Sequence, residues 1–290
     1  MELDDIQRQL DKLTNEMNNK VRPDFEGYSP FEMHLIIDFP FSPSCPIQLN
    51  RLEEADLKMI PMLNQVKYLA QLIAEKGELK LTDKGFLPTK IVADIYQQGF
   101  LKDEEIEMGI QRLYKERDAP SVHLTRILIE ISGLVKKRNG KYSLTKEGMK
   151  TLADDNDLLR LILITMAGRF NWAYFDRYGD NRVGQLGYAF TLILLSKYGA
   201  ERRLDTFYSD KYLKAYPLLL ESVNPRYSTK EDQGSRCYSL RTFNRFLDHF
   251  GLINIEEEKI KGDYFATKKY VSKTVLFDKL FKVKPHEIMS

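Results

Sequence analysis

The spacing of apolar residues predicts that helices make up most of this chain. Near the N-terminus, apolar residues recur three and four positions apart, as in an amphipathic helix with one narrow apolar stripe. The stripe is formed by Leu3, Ile6, Leu10, Leu13 and Met17. A stripe of this kind packs on its own domain or pairs with the same helix of a second copy. A homodimer is therefore one of the two arrangements that the pattern leaves open.

A proline-rich connector follows this helix. Ser29 before Pro30 predicts a helix start, and the helix over 30–38 should end before Pro40. The next stretch, FPFSPSCP, holds three prolines and is excluded as a central strand or helix. Residues 1–60 are therefore predicted to form an N-terminal helix and a connector.

A turn, a strand and a helix start follow one another in RNGKYSLTKEGMKTL, which spans 138–152. Asn139-Gly140 is a strong signal for a two-residue hairpin, so the flanking LVKK and KYSL should pair as antiparallel strands. Thr145 is placed to cap the next helix. Two helices, over 103–117 and 121–132, are predicted before the hairpin. The order of helix, break, helix, hairpin and helix is that of a winged-helix domain.

Two other stretches repeat parts of this order. GELKLTDKGFLPTKIV, at 77–92, reads as a short strand, a turn at Gly85 and a helix opening at Pro88. Near the C-terminus a helix, a hairpin and a second helix are predicted, with Thr274 in the role of Thr145. Polar, turn-rich residues 224–237 are expected to be a linker.

These repeats predict a fold that is mainly α with small β-hairpins (α+β), built from tandem winged-helix-like modules with a helical insertion. The first module is assigned to 61–102, the second to 103–155 and a third, degenerate module to 223–290. A helical layer over 156–222 separates the second module from the third, because long apolar runs there suggest buried helices.

Two resemblances rest on these motifs. KYSLTKEGMKTL resembles the strand-to-helix element of winged-helix regulators such as the MarR and PadR families. Over most of the chain, four stretches in order are similar to a family of uncharacterised bacterial proteins: GYSPFEMHLIIDFPFSPSCPIQLN, LKLTDKGFLPTKIV, RFNWAYFD and FLDHFGLINI with VSKTVLFDKLF. Members of that family occur beside SEC-C metal-binding motifs or as plasmid and transposon passenger genes. The resemblance implies a modular winged-helix-like layout. The chain lacks the Cys/His tail of a SEC-C motif, so no metal site is carried over.

Composition and charge narrow the function classes. The chain has 290 residues, 43% of them hydrophobic, and a net charge of +2, so only a clustering of basic residues can argue for nucleic-acid binding. Its longest apolar runs fall well short of the roughly 20 residues that span a membrane, and its N-terminus is polar and acidic. No membrane contact and a cytoplasmic location are predicted. Cys45 and Cys237 are then expected to be reduced thiols, a disulfide between them being the alternative.

No stretch carries a catalytic or cofactor-binding signature. The sequence contains neither a phosphate-binding G-x-x-x-x-G-K-[ST] loop nor a G-x-S-x-G nucleophile elbow. None of its histidines is spaced as a pair of metal ligands on one helix; they are His34, His123, His249 and His286. The chain is therefore predicted not to be an enzyme and to hold no metal or cofactor.

Basic residues give the clearest functional indication, because lysine and arginine at a hairpin tip suit contact with phosphates. The nucleic-acid-binding residues predicted in the second module are Ser121, His123, Thr125, Arg126, Lys136, Lys137, Arg138 and Lys141. A second basic patch is predicted in the third module at Lys259, Lys261, Lys268, Lys269 and Lys273. The helix over 121–132 has few polar residues suited to base edges, so modest sequence specificity is expected.

A third cluster is a candidate for binding a ligand or a protein partner. Its residues are Arg169, Trp172, Phe175 and Asp176. The alternative is that the aromatic residues anchor a helical core.

Two functions remain open from sequence. One is DNA binding through a winged-helix module, as a regulator or a mobile-element accessory factor. The other is a protein-interaction scaffold whose winged-helix modules do not contact DNA.

Overall fold

The structure of the chain is a computed structural model that describes residues 3–174, 176–259 and 267–286. The fold is mainly α with small antiparallel sheets, which confirms the predicted α+β class. The described residues form two compact units. Unit 1 draws its residues from Met1–Asn50, Trp172–Asp248 and Leu252–Ser290, and unit 2 from Arg51–Asn171 and His249–Gly251.

The helices and strands are numbered in chain order. The α-helices are α1 (Leu3–Asn19), α2 (Pro30–Asp38), α3 (Glu54–Leu57), α4 (Pro61–Lys76), α5 (Thr89–Gln97), α6 (Glu104–Glu107), α7 (Pro120–Ile131), α8 (Lys146–Leu152), α9 (Asp155–Ile164), α10 (Tyr188–Tyr198), α11 (Asp205–Ala215), α12 (Lys230–Tyr238) and α13 (Val275–Leu280). The strands are β1 (Ile47–Leu49), β2 (Leu79–Lys80), β3 (Val135–Arg138), β4 (Lys141–Leu144), β5 (Arg203–Leu204), β6 (Ile253–Lys259), β7 (Thr267–Lys273) and β8 (Phe281–Val283).

Unit 2 is organised around a three-stranded antiparallel sheet in the order β2-β4-β3. The apolar face of α4 is fully buried in the core through Val66, Leu69 and Ile73. In the sheet, Leu79 of β2 is paired with Tyr142 of β4. The sequence-derived boundary between 102 and 103 therefore separates strands that the structure joins in one sheet.

The hairpin of β3 and β4 is confirmed, and so is its turn. Asn139 and Gly140 both have positive φ, 49° and 69°, as a two-residue turn of this kind requires. The strands pair from Val135 opposite Leu144 to Arg138 opposite Lys141. The dipeptide thus fixes the register of the hairpin and hence the face on which each side chain lies.

The structure explains why Thr145 and Gly148 lie three residues apart. The Thr145 hydroxyl accepts a hydrogen bond from the Gly148 backbone N–H at 2.8 Å and donates one to the Gly133 carbonyl at 2.9 Å. A Cβ atom on Gly148 would lie only 2.2 Å from the Leu134 carbonyl oxygen. The motif therefore starts α8 and packs its first turn directly against the backbone that leads into β3.

Replacing Gly148 with alanine should destabilise unit 2 by about 3 kcal/mol, since the added methyl group overlaps a backbone atom that cannot move aside. Helix propensity alone would favour alanine by about 1 kcal/mol, so steric overlap decides the sign. Chemical denaturation followed by circular dichroism measures the change. The control is Gly168→Ala, because nothing lies within 4 Å of a Cβ there. Equal stability of both variants would contradict this packing.

Two predicted segments differ from the structure. The prediction of one helix over 103–117 is wrong, because α6 ends at Glu107 and Gly109 takes a positive φ of 71° that stops it. The predicted linker over 224–237 contains most of α12. Thr229 caps that helix by accepting a hydrogen bond from the Asp232 N–H at 3.0 Å. The polar composition of this segment was therefore wrongly taken as that of a linker, although it includes a helix start.

Two α-helices continue into π-helical segments. After α9, the chain makes a wider π-helical turn over Thr165–Arg169. It then becomes extended at Phe170. Another π-helical turn, Ser239–Leu247, continues α12. Both turns are local rearrangements that a 3.6-residue apolar period does not indicate.

Unit 1 contains a buried helix, an aromatic core and two small sheets. Helix α10 is buried almost all round, as its continuous apolar run predicts. One sheet pairs β1 with β8, and the other has the order β5-β7-β6. Thr274 caps α13 by accepting from the Phe277 N–H at 3.3 Å, which confirms that it has the role of Thr145.

Candidate nucleic-acid interface

The sheet of unit 2 carries basic side chains on one face. Tyr142 is fully buried, so residues paired with it lie on the inner face and their neighbours along each strand lie on the other. We call the second face the outer sheet face. Its exposed basic residues are Lys80, Lys136, Arg138 and Lys141.

Three of these cations lie side by side across the sheet. Lys141 pairs with Arg138 on one side and with Lys80 on the other, so the row crosses all three strands. Like charges opposite one another destabilise a sheet unless an anion offsets them. Repulsion within this row therefore destabilises the sheet when no anion is bound.

Glu78 supplies part of the opposing charge. It accepts a hydrogen bond from the Lys141 Nζ at 2.6 Å, and this bond lowers the pKa of Glu78 together with a weaker influence of Lys136. Among the described residues, no carboxylate lies within ion-pair distance of Lys80, Lys136 or Arg138. Sequence reasoning missed Lys80, because only the pairing of β2 with β4 brings it beside the hairpin.

Lys137 lies on the other side of the hairpin. It is paired with the buried Tyr142, and its Nζ extends beside Gly85, whose added Cβ would lie 2.8 Å away. Gly85 has a positive φ of 79°, as the tight turn predicted there requires. Lys137 is exposed but does not belong to the outer sheet face.

The predicted binding residues of α7 are placed in the interior of unit 2. Ser121, His123, Thr125 and Arg126 are all buried. His123 and Arg126 both contact Glu116, whose side chain is fully buried: the Glu116 carboxylate lies 2.5 Å from the His123 Nδ1 and 2.6 Å from the Arg126 Nε. It also accepts from the backbone N–H of Leu87 at 2.5 Å. The Glu116 carboxylate thus supplies a buried negative charge to the basic side chains of α7.

Arg126 is held by three partners. Besides Glu116, its Nη1 donates to the Glu130 carboxylate at 2.9 Å and to the Tyr142 hydroxyl at 3.2 Å. Burial lowers the pKa of Arg126, but its hydrogen bonds to Glu116 and Tyr142 outweigh burial and leave that pKa raised. Burial, assisted by the bond to Glu130, also raises the pKa of Tyr142. The predicted contact of Arg126 with phosphate is inconsistent with these bonds.

Ser121 and Thr125 are also engaged inside the unit. The Ser121 hydroxyl donates to the Asp103 carboxylate at 2.8 Å, and burial raises the pKa of Asp103. Thr125 accepts from the Gln65 side-chain amide at 2.8 Å and donates to the Ser121 carbonyl at 2.9 Å. These contacts fasten α7 to α4 and to the residue before α6.

The less buried side of α7 is apolar and acidic. It consists of Leu124, Ile127, Glu130 and Ile131. None of these side chains offers the arginine, asparagine or glutamine donors that read base edges in a groove.

Three lysines of the second basic patch lie beside carboxylates. Lys268 and Lys269 of β7 are opposite Glu258 and Glu257 of β6, and Lys273 is bonded to Asp278 at 2.7 Å. The acidic strand residues also attract Arg202, which lies 2.9 Å from Glu256 and 2.8 Å from Glu258. Lys259 is exposed on β6, and Lys261 lies outside the described residues. In the described strands of this hairpin, the positive charge is therefore more nearly balanced than on the outer sheet face.

The predicted cluster of Arg169, Trp172, Phe175 and Asp176 is divided. Trp172 is buried and packs on Phe246 with ring centroids 4.9 Å apart. This agrees with the alternative interpretation, in which the aromatic residues anchor a core. Asp176 is buried in unit 1 beside Arg241. Arg169 is exposed and belongs to unit 2, and Phe175 lies outside the described residues. Of these residues, Trp172 and Asp176 therefore lie in the interior of unit 1.

Asp176 and Arg241 form the centre of a buried polar cluster. Both side chains are 0% exposed, and the Arg241 Nε donates to the Asp176 carboxylate. The Arg241 Nη1 donates to the carbonyls of Asn181 and Val183 at 2.7 and 3.1 Å, and its Nη2 to that of Gly179 at 3.0 Å. The guanidinium thereby fixes the loop over 176–183.

Other reactive groups give no second site. In the part of the chain that the structure describes, no group of three or more His, Cys, Asp or Glu residues could hold a metal ion. Cys45 and Cys237 are both buried free thiols. Burial raises the pKa of both, to about 12 for Cys237, which keeps them protonated and poorly nucleophilic. No helix in the described ranges is long and apolar enough to cross a membrane.

Comparison with known families places a similarity on unit 2. A family model, the Y4jL N-terminal domain, matches residues 58–157, which lie wholly within that unit. The match extends from just before α4 to the first turn of α9 and includes the outer sheet face. Neither the curated proteins nor the solved structures contain a match to this chain.

Proposed function

We propose that unit 2 binds nucleic acid by contacting phosphates with its outer sheet face. The observation that carries the proposal is the row of Lys80, Lys141 and Arg138 across three paired strands, with Lys136 beside it. In this proposal α4, β2, α5, α7, β3 and β4 form one winged helix rather than parts of two, and the β3–β4 hairpin is its wing.

The charge balance supports an anionic partner. Among the described residues, Glu78 is the only carboxylate that forms an ion pair with the four cations of the outer sheet face. A phosphate backbone would relieve the repulsion within the row, and binding would release the counterions condensed on the nucleic acid. The free energy should therefore come mainly from backbone contacts that carry no sequence information.

Unit 2 is expected to bind nucleic acid with little selectivity for particular bases. Because the polar side chains of α7 are occupied inside the unit, recognition of individual bases is not expected from that helix. Such a protein suits an accessory role on DNA or RNA, as a regulator of modest specificity or a mobile-element factor, in the cytoplasm where Cys45 and Cys237 stay reduced.

The triple substitution Lys80→Glu/Lys136→Glu/Arg138→Glu should abolish most of the binding. These three cations have no ion-pair partner among the described residues, so their removal leaves the hydrogen bonds of the fold intact. Fluorescence anisotropy with a random DNA duplex and a matching RNA would be recorded from about 50 to 200 mM salt. For the wild type we expect a log–log salt slope of roughly −3 to −4, and the variant should lose most of that slope and at least about tenfold in affinity at the lowest salt.

The matched control is Lys102→Glu/Arg112→Glu/Lys115→Glu. These exposed residues belong to the same unit, and their substitution changes the net charge by the same amount. Affinity close to that of the wild type is expected for the control. If both variants weaken binding equally, total charge rather than the outer sheet face is responsible. If the wild type fails to bind either duplex at low salt, the proposal is wrong.

A protein-interaction surface is the second candidate function. It is favoured by Met108, Ile110 and Tyr114, which are 63–73% exposed on the segment after α6. Three large apolar side chains within seven residues are typical of a contact site for another protein. Absence of nucleic-acid binding in the experiment above, with unit 2 folded, would make this the leading function.

A further inference from the structure

Helix α1 has an unpartnered apolar stripe. Every residue over 4–18 is exposed, including Ile6, Leu10, Leu13 and Met17, whose exposed fractions run from 37% to 63%. An isolated helix of about this length is only marginally stable in water, because tertiary packing normally supplies most of the stability of a helix. The sequence nevertheless maintains an apolar stripe along the helix.

The spacing of the stripe is that of a coiled-coil seam. A helix that packs on a globular core usually has a wider apolar face, whereas apolar residues confined to alternating three- and four-residue steps make the narrow seam of paired helices. The positions that flank this seam are Gln7, Gln9, Thr14 and Glu16. Only one of them is charged, so two identical helices can approach without strong repulsion along the seam.

We propose that α1 pairs in an antiparallel orientation with α1 of a second copy of this chain. In the register that interleaves the two seams, Ile6 lies opposite Met17 of the second copy and Leu10 opposite its Leu13. Each copy contributes the same four exposed side chains. The contact is therefore isologous and closes as a dimer rather than growing into a chain of copies.

Charge at the helix ends selects the second copy and the orientation. The first turn of α1 carries Asp4 and Asp5, and Lys20 and Arg22 follow its last turn. Antiparallel pairing brings the acidic end of each helix to the basic end of the other, and it also opposes the two helix dipoles. Parallel pairing would place four aspartates together at one end.

The short seam limits the strength of the pair. Stable protein interfaces usually bury at least about 1,200 Å², and a seam of four apolar side chains per helix is a small contact by that standard. We therefore expect reversible dimers that form at micromolar or higher concentration and dissociate on dilution.

Analytical ultracentrifugation of the full chain from about 1 to 500 μM tests for the pair. The wild type should change from monomer to dimer across this range, whereas Leu10→Glu/Leu13→Glu should remain monomeric. The control is Asn15→Glu/Asn18→Glu, which adds the same charge to the side of α1 away from the seam. Dimerisation of the control and not of the seam variant supports the proposal. A wild type that is monomeric throughout, or a seam variant that still dimerises, overturns it.

Cysteine cross-linking tests the orientation. The variant Ile6→Cys/Met17→Cys should form disulfide-linked dimers under mild oxidation, whereas Ile6→Cys alone should not, since the two Ile6 positions lie at opposite ends of an antiparallel pair. The native Cys45 and Cys237 are both 1% exposed and should not compete. Efficient cross-linking of Ile6→Cys alone would show a parallel pair and overturn the antiparallel arrangement.

Discussion

Replacing Arg241 with methionine should destabilise unit 1 by about 3–5 kcal/mol. The substitution keeps much of the apolar stem but removes the cation that pairs with the buried Asp176 carboxylate. A buried charge without its partner is among the most costly defects in a folded protein. The carbonyls of Gly179, Asn181 and Val183 would lose their donor at the same time.

The only tryptophan provides the measurement. Trp172 belongs to unit 1 and packs on Phe246, so urea unfolding followed by tryptophan fluorescence reports on the unit that contains Arg241. The midpoint of that transition should fall sharply in Arg241→Met. The double variant Arg241→Met/Asp176→Leu should recover part of the loss, because it removes both buried charges.

The control for this substitution is Arg202→Met in the same unit. Arg202 also pairs with carboxylates, those of Glu256 and Glu258, but its side chain is about half exposed, at 49%. Water screens such a pair, so only a small change in the midpoint is expected. If the two arginine variants unfold at the same urea concentration, the buried cluster does not hold the loop over 176–183 as described.

Replacing Glu116 with leucine should cost unit 2 about 3–5 kcal/mol. Its carboxylate is fully buried and receives hydrogen bonds from Arg126 and from the Leu87 backbone, with His123 beside it. Leucine would leave the Arg126 guanidinium with Glu130 alone as its counter-charge, and the Leu87 N–H without an acceptor. The loss should loosen the attachment of α7 to the rest of the unit.

Hydrogen exchange read by mass spectrometry locates this effect. Peptides from α7 should lose protection in Glu116→Leu. Glu116→Gln should have a smaller effect, since its single amide oxygen can still accept from either Leu87 or Arg126, which bond to different oxygens of the carboxylate. The control is Glu147→Leu, an exposed carboxylate of α8 in the same unit. Unchanged protection of α7 in Glu116→Leu would show that this carboxylate does not anchor the helix.

Local features of the fold were predictable where the signal is short in sequence. Asn139-Gly140 fixes its own turn, and Thr145 and Thr274 cap the helices that directly follow them. These devices depend on neighbouring residues and backbone conformation alone, so sequence is sufficient to identify them. The predominance of helix with small hairpins follows from the same local patterns.

Features set by distant pairing were not predictable. Strand β2 has only two residues, and its partner β4 lies about sixty positions further along the chain, so no periodicity connects Lys80 with Lys141. The burial of Arg126 likewise depends on Glu116, which begins a short 3-10 helix, Glu116–Asp118, at the end of the segment predicted as one α-helix. The sequence showed a basic helix and hairpin, but only the fold separates the cations that face inward from those that face water.

The pairing of β1 with β8 has a consequence for synthesis on the ribosome. Ile47 is hydrogen-bonded in register with Val283, so unit 1 cannot complete this sheet until residues near 283 have left the exit tunnel. Unit 2, by contrast, is formed almost entirely by one continuous stretch, Arg51–Asn171. Its only later residues are His249–Gly251. The nascent chain should therefore build most of unit 2 first, while β1 stays without its partner strand and its edge remains open to wrong pairing.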